Sequence, residues 1–397
     1  MNPSKPDTAK NSAPLSEKIA LFLLGVTALV NLYSTQPILN DLSVWARVDV
    51  TEAAWTVSAA TVGVALTAPI AGVVSDRLGR RRIMVIAIAV MAVLTILASF
   101  SWDFYSLLFI RLVQGICCPF IFTTAVAYIS EEYAHPLSLK LNALYVAGTA
   151  FGGFLGRMLS AAIVDVTGSW RLSFVGNSTI LVLILFYVWW RLPSERNLRP
   201  YSREDSRGAS SSRIGFNPRV IFTILIGATL LFQQVGMFTF ASLALTAEPF
   251  SLSTSAVGLI FVIFLLPTIT TPWFGRVNSV IGPRYSFVLS QVVSMIGVAL
   301  TLIPSVVSVC VGLAMSCIGV FAGQSVGTAM AGRLIPDRKS AIVGLYLSGY
   351  YLGGAIAAVA LGPVYVVAGW SGVASIIMVI ITASALISWA SWNLRSS

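Results

Sequence analysis

Two arginines stand inside long apolar stretches, where a charge can do chemistry that the residues around it cannot. Arg111 lies in the run 104–129, and Arg157 lies in the run 141–164. A guanidinium stays charged in proteins and offers five N–H donors. A charge within an apolar span is costly unless it faces a cavity or a partner. We expect both arginines to bind a ligand or couple to one, although the side chain of Arg111 could instead extend to the nearby membrane surface.

Uncharged polar side chains occur in the same apolar stretches. Asn31 and Gln36 lie in the first run, Gln233 and Gln234 in the seventh, and Gln324 in the tenth. Polar groups that face lipid are costly, so these side chains should face the interior of a helix bundle. Hydrogen bonding between helices is the alternative role for each of them.

Carboxylates are absent from the middle of every apolar run. A proton carrier normally needs a carboxylate whose pKa is raised by burial. Asp41 and Asp103 are the best-placed candidates for proton coupling, and Asp103 lies near Arg111 in the fourth run. For each of the two, the residues favour a solvated carboxylate of an outer loop over this role.

The sequence lacks the residues that several classes of function require. The chain has one histidine, and its four cysteines all lie in apolar stretches without metal-ligand spacing, so we expect no metal and no cofactor. An enzyme within the bilayer would need a polar cluster that His135 and scattered carboxylates do not supply. A primary pump would need a glycine-rich nucleotide-binding loop, which is missing. A channel stays possible on composition alone.

The composition places these residues in a membrane. Of the 397 residues, 57% are hydrophobic and 10% are charged, and the mean hydropathy is +0.86. Soluble domains carry about 25% charged residues, so lipid must be the solvent, and the net charge of +10 does not indicate nucleic acid. Apolar runs long enough to cross a bilayer occur at 19–40, 55–75, 83–101, 104–129, 141–164, 172–190, 219–247, 255–273, 285–303, 305–331, 340–366 and 371–393.

Lysine and arginine between the runs predict the orientation. Segments on the side of the N-terminus hold 21 of the 25 basic residues, whereas the opposite segments hold only Arg47 and Arg171. Because cytoplasmic loops carry the excess of basic residues, both termini are predicted to be cytoplasmic.

The polar segment 192–217, rich in Arg and Ser, predicts a flexible cytoplasmic linker. An ordered basic domain is the alternative, but the segment is too short and too polar for a core. The predicted organisation is a tail over 1–18, a six-helix bundle over 19–191, the linker, and a second six-helix bundle over 218–397.

An internal repeat supports this division. The segment LYVAGTAFGG at 144–153 matches LYLSGYYLGG at 345–354, at an offset of 201 residues. The segment GVVSDRLGRR at 72–81 matches GRVNSVIGPR at 275–284, at an offset of 203 residues. Two matches at nearly one offset indicate duplication of a six-helix unit, with a substrate site between the halves near the midplane. The repeat also speaks against a channel built as a ring of identical subunits.

The loop at 72–81 has the pattern Gly-x-x-x-Asp-Arg-x-Gly-Arg-Arg. A positively charged loop that needs a tight turn would explain its arginines, but not an aspartate between two glycines at this spacing. In this pattern, and in its six-plus-six organisation, the chain resembles the major facilitator superfamily, in which this loop helps to gate the cytoplasmic side. The resemblance implies a gating role for Gly72, Asp76, Arg77, Gly79, Arg80 and Arg81.

Two further segments resemble the exporters of that family. Arg111 and Gly115 match an Arg-x-x-x-Gly pattern in the fourth helix that the family links to proton coupling. The fifth helix departs from the exporters' glycine-rich pattern, with Gly153 at their proline and Arg157 at their final glycine, which weakens the inference of antiport. Because helices one, four, seven and ten line the cavity in this family, the candidate substrate-binding residues include Asn31, Gln36, Arg111, Gln233, Gln234 and Gln324. Arg157, the second arginine within an apolar run, is a further candidate on the fifth helix.

The sequence therefore predicts an all-α integral membrane protein with twelve transmembrane helices in two pseudo-symmetric six-helix bundles. By resemblance to the bacterial drug and sugar efflux branch, we expect a monomeric, proton-coupled exporter of a small organic molecule in the bacterial cytoplasmic (inner) membrane. The alternative is an uptake symporter or exchanger of an anionic metabolite or lipid, which two intramembrane arginines without a buried acid would suit.

Overall fold

Helices make up the regular structure of the described part of the chain, without any strand. The computed structural model describes residues 12–134, 137–195, 218–335 and 339–392. Its helices up to the predicted linker are α1 Leu15–Val30, α2 Leu39–Ala46, α3 Val50–Ala53, α4 Trp55–Leu78, α5 Arg80–Ser99, α6 Phe104–Cys117, α7 Pro119–Glu132, α8 Leu137–Thr167 and α9 Trp170–Arg191. Those after it are α10 Pro218–Thr246, α11 Thr254–Ile260, α12 Leu266–Leu300, α13 Val306–Leu334 and α14 Lys339–Ser391.

Nine helices in these described ranges are long and apolar enough to cross a membrane. Two of them, Thr254–Leu300 and Ile342–Ser391, hold 47 and 50 residues, more than twice the roughly 20 that one crossing needs. Each contains one glycine with non-helical backbone angles, Gly282 in the first and Gly369 in the second. The prediction of an all-α membrane protein is confirmed, whereas the count of twelve and the boundaries at 18, 191 and 217 stay predictions.

Two apolar runs that the sequence presents as continuous are divided. In the first run the helix ends at Val30, and a 3₁₀ helix over Gln36–Ile38 precedes α2. In the fourth run the chain changes from α6 to α7 at Cys118, directly before Pro119. Proline lacks the N–H that would continue a helix, so Pro37 and Pro119 both fit the places where these runs are divided.

Glycines let the first and fifth helices of each half approach closely. A Cβ atom at Gly152 of α8 would collide with the carbonyl oxygen of Val26 in α1. In the second half, a Cβ atom at Gly353 of α14 would collide with the carbonyl oxygen of Ala228 in α10. The two glycines are 201 residues apart, and their two partners are 202 residues apart. The helix packing therefore repeats at nearly the same offset as the sequence.

The two repeated loops share a backbone conformation as well. Gly79 between α4 and α5 has a φ of +92°, and Gly282 within α12 has a φ of +82°. Positive φ favours glycine, which explains why this position is glycine in both copies of the loop. We call the end of the bundle that carries Gly79 the Gly79 end, and the end that carries Gly168, between α8 and α9, the Gly168 end.

Replacing Gly152 by alanine should destabilise the fold, since the added methyl group meets backbone that cannot rotate away. The expected cost is about 1–3 kcal/mol, visible as a lower thermal unfolding midpoint of the purified protein in detergent. The same substitution at Gly275, where a Cβ atom meets nothing within 4 Å, is the matched control and should leave the midpoint unchanged or raise it. Equal midpoints for both variants would contradict this account of the helix contact.

Candidate functional site

The break in the first helix is held by Arg111 of α6. Its Nη1 donates to the carbonyl oxygen of Asn31 at 2.9 Å, and its Nη2 donates to that of Leu32 at 2.5 Å. Its Nε donates to the carbonyl oxygen of Thr56 at 3.2 Å. Inside a bilayer every backbone carbonyl needs a partner within the protein. The guanidinium therefore binds two carbonyl groups of the unwound segment and joins that segment to the start of α4.

Polar side chains complete the surroundings of Arg111. Gln114 accepts from Nη1 at 2.7 Å and donates to the hydroxyl of Thr95 at 3.1 Å. The same hydroxyl accepts from the side chain of Asn31 at 2.8 Å. Arg111 is fully buried. Its charge is stabilised by four oxygen acceptors and by no carboxylate among the described residues, so its extension to the membrane surface is ruled out in this structure.

Arg157 of α8 lies elsewhere, at the contact between the two halves. Its Nε donates to Oε1 of Gln36 at 2.7 Å, and its Nη1 donates to the carbonyl oxygen of Gly153 at 2.7 Å. The position of Arg157 is 10 residues before the end of α8, or about 15 Å along the helix, close to half the hydrocarbon thickness. Glycine at 153 leaves room for the guanidinium, since a Cβ atom there would be 3.3 Å from Nη1.

Three aromatic rings surround the guanidinium of Arg157. Its central carbon is 4.7 Å from the ring centre of Tyr33, 4.8 Å from that of Phe261 and 4.4 Å from that of Phe264. Tyr33 follows α1, whereas the two phenylalanines belong to the 3₁₀ turn before α12 in the second half. Cation–π contacts of this kind stabilise a charge without neutralising it.

Hydrogen bonds join the two halves near the Gly168 end. Gln36 donates to the hydroxyl of Thr239 at 2.9 Å, and Ser58 donates to the carbonyl oxygen of Ala355 at 2.7 Å. A third bond, of 3.0 Å, runs from Asn40 to the hydroxyl of Thr246. These residues and Arg157 lie along the surface where the two halves meet, and we call this surface the seam. It is the place where a movement of the halves would expose polar groups.

The glutamines of the second half bond within that half. Gln233 donates to Gln291 at 3.1 Å, and Gln234 accepts from the hydroxyl of Tyr350 at 3.3 Å. Gln324 is half-buried in α13, and no hydrogen bond in the described ranges connects its side chain to the other candidates. The structure thus groups Asn31 with Arg111 and Gln36 with Arg157, and leaves the second-half glutamines apart from both arginines.

The two carboxylates proposed for proton coupling have different surroundings. Asp103 is exposed and caps α6, accepting from the backbone N–H of Ser106 at 2.8 Å. Asp41, just beyond the first apolar run, is half-buried. Burial raises the pKa of Asp41 above its ordinary value, and the charge of nearby Asp165 raises it further. The surroundings of Asp41 therefore favour binding of a proton.

The arginine loop at the Gly79 end contacts the neighbouring helix ends. Arg80 makes two bonds of 2.6 Å with the carboxylate of Glu131 in α7. The backbone N–H of Arg81 donates to the carboxylate of Glu195, and its side chain donates to the carbonyl oxygen of Leu192 at 2.7 Å. The side chains of Asp76 and Arg77, and the surroundings of Gly72, lie outside the described residues. Their gating role stays a prediction.

Sequence reasoning missed several partners of the two arginines. Thr95 and Thr239 carry no motif, and Phe261 and Phe264 resemble any other core residues in an apolar run. One signal was available for Thr239, because it is separated from Gln36 by 203 residues, the offset of the loop repeat. Corresponding segments of the first and seventh helices can meet across the axis that relates the halves.

Comparison with known proteins returns one family and transporters as relatives and structural neighbours. The sequence profile of the Major Facilitator Superfamily matches residues 19–245 and 224–396. The inner membrane transport protein YnfM of Escherichia coli (strain K12) is 31% identical over 93% of this chain and 88% of its own length. An uncharacterized transporter of Buchnera aphidicola subsp. Schizaphis graminum (strain Sg) is 29% identical over 93% of this chain and 90% of its own. A crystal structure of the nucleoside transporter NupG superposes with a TM-score of 0.74 at 15% identity, covering 95% of this chain and all of that one.

Replacing Arg111 by methionine should destabilise the protein by about 2 kcal/mol, because the carbonyl oxygen of Leu32 in the unwound segment loses its donor. Lysine should rescue only part of the loss, since an ammonium lacks the planar fork of a guanidinium. The thermal unfolding midpoint in detergent reports both effects. The control is the exposed Arg82, whose replacement by methionine should leave the midpoint unchanged. A stable Arg111→Met variant would refute the bracing role of the guanidinium.

A double-mutant cycle on Arg80 and Glu131 should reveal a coupling of about 0.5–3 kcal/mol, because the two side chains form a pair of charge-assisted hydrogen bonds. The variants are Arg80→Gln, Glu131→Gln and their combination, and the measurement is the shift of the unfolding midpoint. The neighbouring exposed Arg82 provides the control cycle, whose effects with Glu131→Gln should add. Additivity in the Arg80 cycle would mean that this contact contributes nothing.

Proposed function

The chain belongs to the major facilitator superfamily and is a secondary transporter rather than an enzyme, and we propose that it exports a small organic molecule in exchange for protons. The observation that carries this proposal is the seam. It combines a buried charge, an amide and several hydroxyl groups between two halves of related structure. Substrate sites of transporters built from repeats lie at such an interface.

The proposed transport cycle follows from the contacts that must break when each end of the bundle opens. Opening the Gly168 end separates Gln36 from Thr239 and Asn40 from Thr246, and uncovers Arg157. Opening the Gly79 end instead rearranges the helix ends that Arg80 and Arg81 join. Alternating the two openings would carry a substrate bound at the seam from one side of the membrane to the other.

The surroundings of the carboxylates support Asp41, rather than Asp103, as the proton-binding group. Asp41 is half-buried at the Gly168 end, and its pKa is raised, whereas Asp103 is an exposed helix cap. Trp45 and Trp170 pack together at this end with their ring centres 4.4 Å apart, and Arg171 is 5.2 Å from the Trp45 ring. A proton taken up by Asp41 at this end and released at the other would drive export.

We further propose a placement in the bacterial inner membrane, with the Gly79 end and both termini in the cytoplasm. The excess of basic residues in the segments on that side supports the orientation. In this placement the loop containing Gly72, Asp76, Arg77, Gly79, Arg80 and Arg81 gates the cytoplasmic opening, and the protein acts as a monomer.

A second candidate function is the uptake or exchange of an anionic metabolite or lipid. The observation that favours it is Arg157, whose charge has no carboxylate partner among the described residues. The two candidates differ in the direction of transport and in its coupling, and both use the same seam.

Asp41→Asn should abolish proton-driven export. In everted vesicles with an acidic lumen, export is measured as accumulation of a solute from a labelled panel, together with a rise of luminal pH. Because the pKa of Asp41 is raised, coupled exchange should fall as luminal pH rises through this value, and the asparagine variant should lose that dependence. Asp103→Asn is the matched control, since asparagine also caps helices, and it should behave as the unmodified protein.

Each outcome of this experiment decides between the candidates. Accumulation driven by the acidic lumen supports export, and its loss in Asp41→Asn assigns the proton to that carboxylate. Accumulation that ignores the pH gradient removes the proton-coupled proposal. Movement from the lumen to the outside, driven by the same gradient, favours the uptake candidate.

A further inference from the structure

Arg157 carries a charge that the described part of the chain leaves without a counter-charge. All fifteen acidic residues of the sequence lie outside the central parts of the apolar runs, and the nearest along α8 is Asp165. Eight residues of helix separate the two positions by about 12 Å. Asp165 is itself exposed. Guanidinium groups do not lose their proton in proteins, so the buried charge persists.

The second half has no equivalent charge. At the repeat offset of 201 residues, Ala358 corresponds to Arg157, and Gly354 corresponds to Gly153. The surrounding helix packing is conserved between the halves, since Gly152 and Gly353 make equivalent backbone contacts. The arginine is therefore an addition to a scaffold that assembles without it, which argues against a purely architectural role.

Arg157 also differs from Arg111 in what its donors bind. Four oxygen acceptors surround Arg111, three of them backbone carbonyl groups. The hydrogen bonds of Arg157 to described residues involve Nε and Nη1 only, and one of them goes to the movable side chain of Gln36. A carboxylate binds a guanidinium best through two parallel N–H bonds. Displacing Gln36, or approaching through Nη2, would supply that pair at Arg157 but not at Arg111.

An apolar surface continues from the guanidinium into the second half. Phe264 packs against Phe238 with ring centres 4.5 Å apart and against Phe321 at 6.2 Å. Phe261 lies 5.8 Å from Phe238. Aromatic rings at these separations favour a further flat ring in an edge or offset arrangement. Charge and rings lie side by side on a seam whose two walls belong to different halves.

We propose that this part of the seam binds an organic monocarboxylate, with its carboxylate on Arg157 and its apolar ring against Phe238, Phe264 and Phe321. This inference rests on the proposed function, since it names the substrate class of the same site. It does not depend on the direction of transport. Gln36 would act as the side chain that the carboxylate displaces when it binds.

Equilibrium binding to the purified full-length protein in lipid nanodiscs tests the inference without any gradient. The probe is radiolabelled benzoate, and the competitors are cyclohexanecarboxylate, benzamide and benzylamine. Benzoate should bind saturably. Cyclohexanecarboxylate should compete, benzamide should be at least about ten-fold weaker because it lacks the charge, and benzylamine should not compete. Benzamide or benzylamine competing as well as benzoate, or no saturable binding of benzoate, would overturn the proposal.

Substitutions in the seam test which side chains bind benzoate. Arg157→Gln should weaken benzoate binding at least ten-fold, Arg157→Lys less, and Phe264→Leu should weaken benzoate more than cyclohexanecarboxylate. The matched control is Arg171→Gln, which removes another arginine packed on aromatic rings, 4.5 Å from Trp170 but outside the seam, and should leave binding unchanged. Unaltered binding in Arg157→Gln would refute the site. If that variant does not fold, Arg157→Lys and the competitor series still decide.

This measurement is independent of the export experiment. Benzoate binding that depends on Arg157, in a protein without proton-driven flux, would retain the carboxylate site and reject the coupling. Proton-driven export of a neutral or cationic solute, with benzoate binding absent, would retain the coupling and reject the carboxylate site.

Discussion

The structure depends on one arrangement above all, the binding of backbone carbonyl groups by the buried guanidinium of Arg111. A membrane helix that stops at Val30 releases carbonyl groups which lipid cannot satisfy. Arg111 satisfies those of Asn31 and Leu32, and in return their dipoles stabilise its charge. The break places Tyr33 and Gln36 on the seam, where both contact Arg157. Arg157 thus has these two partners because Arg111 stabilises the interruption of the helix beside it.

Duplication accounts for the framework, and departures from it account for the site. The contact of Gly152 with Val26 and that of Gly353 with Ala228 are two copies of one helix crossing, and the loop glycines at 79 and 282 share one backbone conformation. Arg157, opposite Ala358 in the repeat, has no copy. A duplicated scaffold can carry such a difference because the backbone contacts that hold it together lie on another face of the same helix.

The sequence was sufficient to predict the structural features that depend on composition and periodicity. Apolar runs and the repeat predicted an all-helical membrane protein, and the loop pattern at 72–81 pointed by resemblance to its family. The interruption at Asn31 was hidden, because a run of apolar and small polar residues does not reveal where carbonyl groups will be bound from another helix. Phe261 and Phe264 could not be distinguished from ordinary core residues, since their role depends on a charge about one hundred positions away in the chain.

The hydrogen bonds across the seam join neutral groups. An amide bonds a hydroxyl at Gln36 and Thr239, and a hydroxyl bonds a carbonyl at Ser58 and Ala355. Such bonds exchange with water at a net cost of only about 1 kcal/mol each. Dissolved salt, which screens exposed charges, has little effect on neutral pairs. In the proposed cycle, the hydrogen-bond contribution to opening the Gly168 end is therefore small and nearly independent of ionic strength.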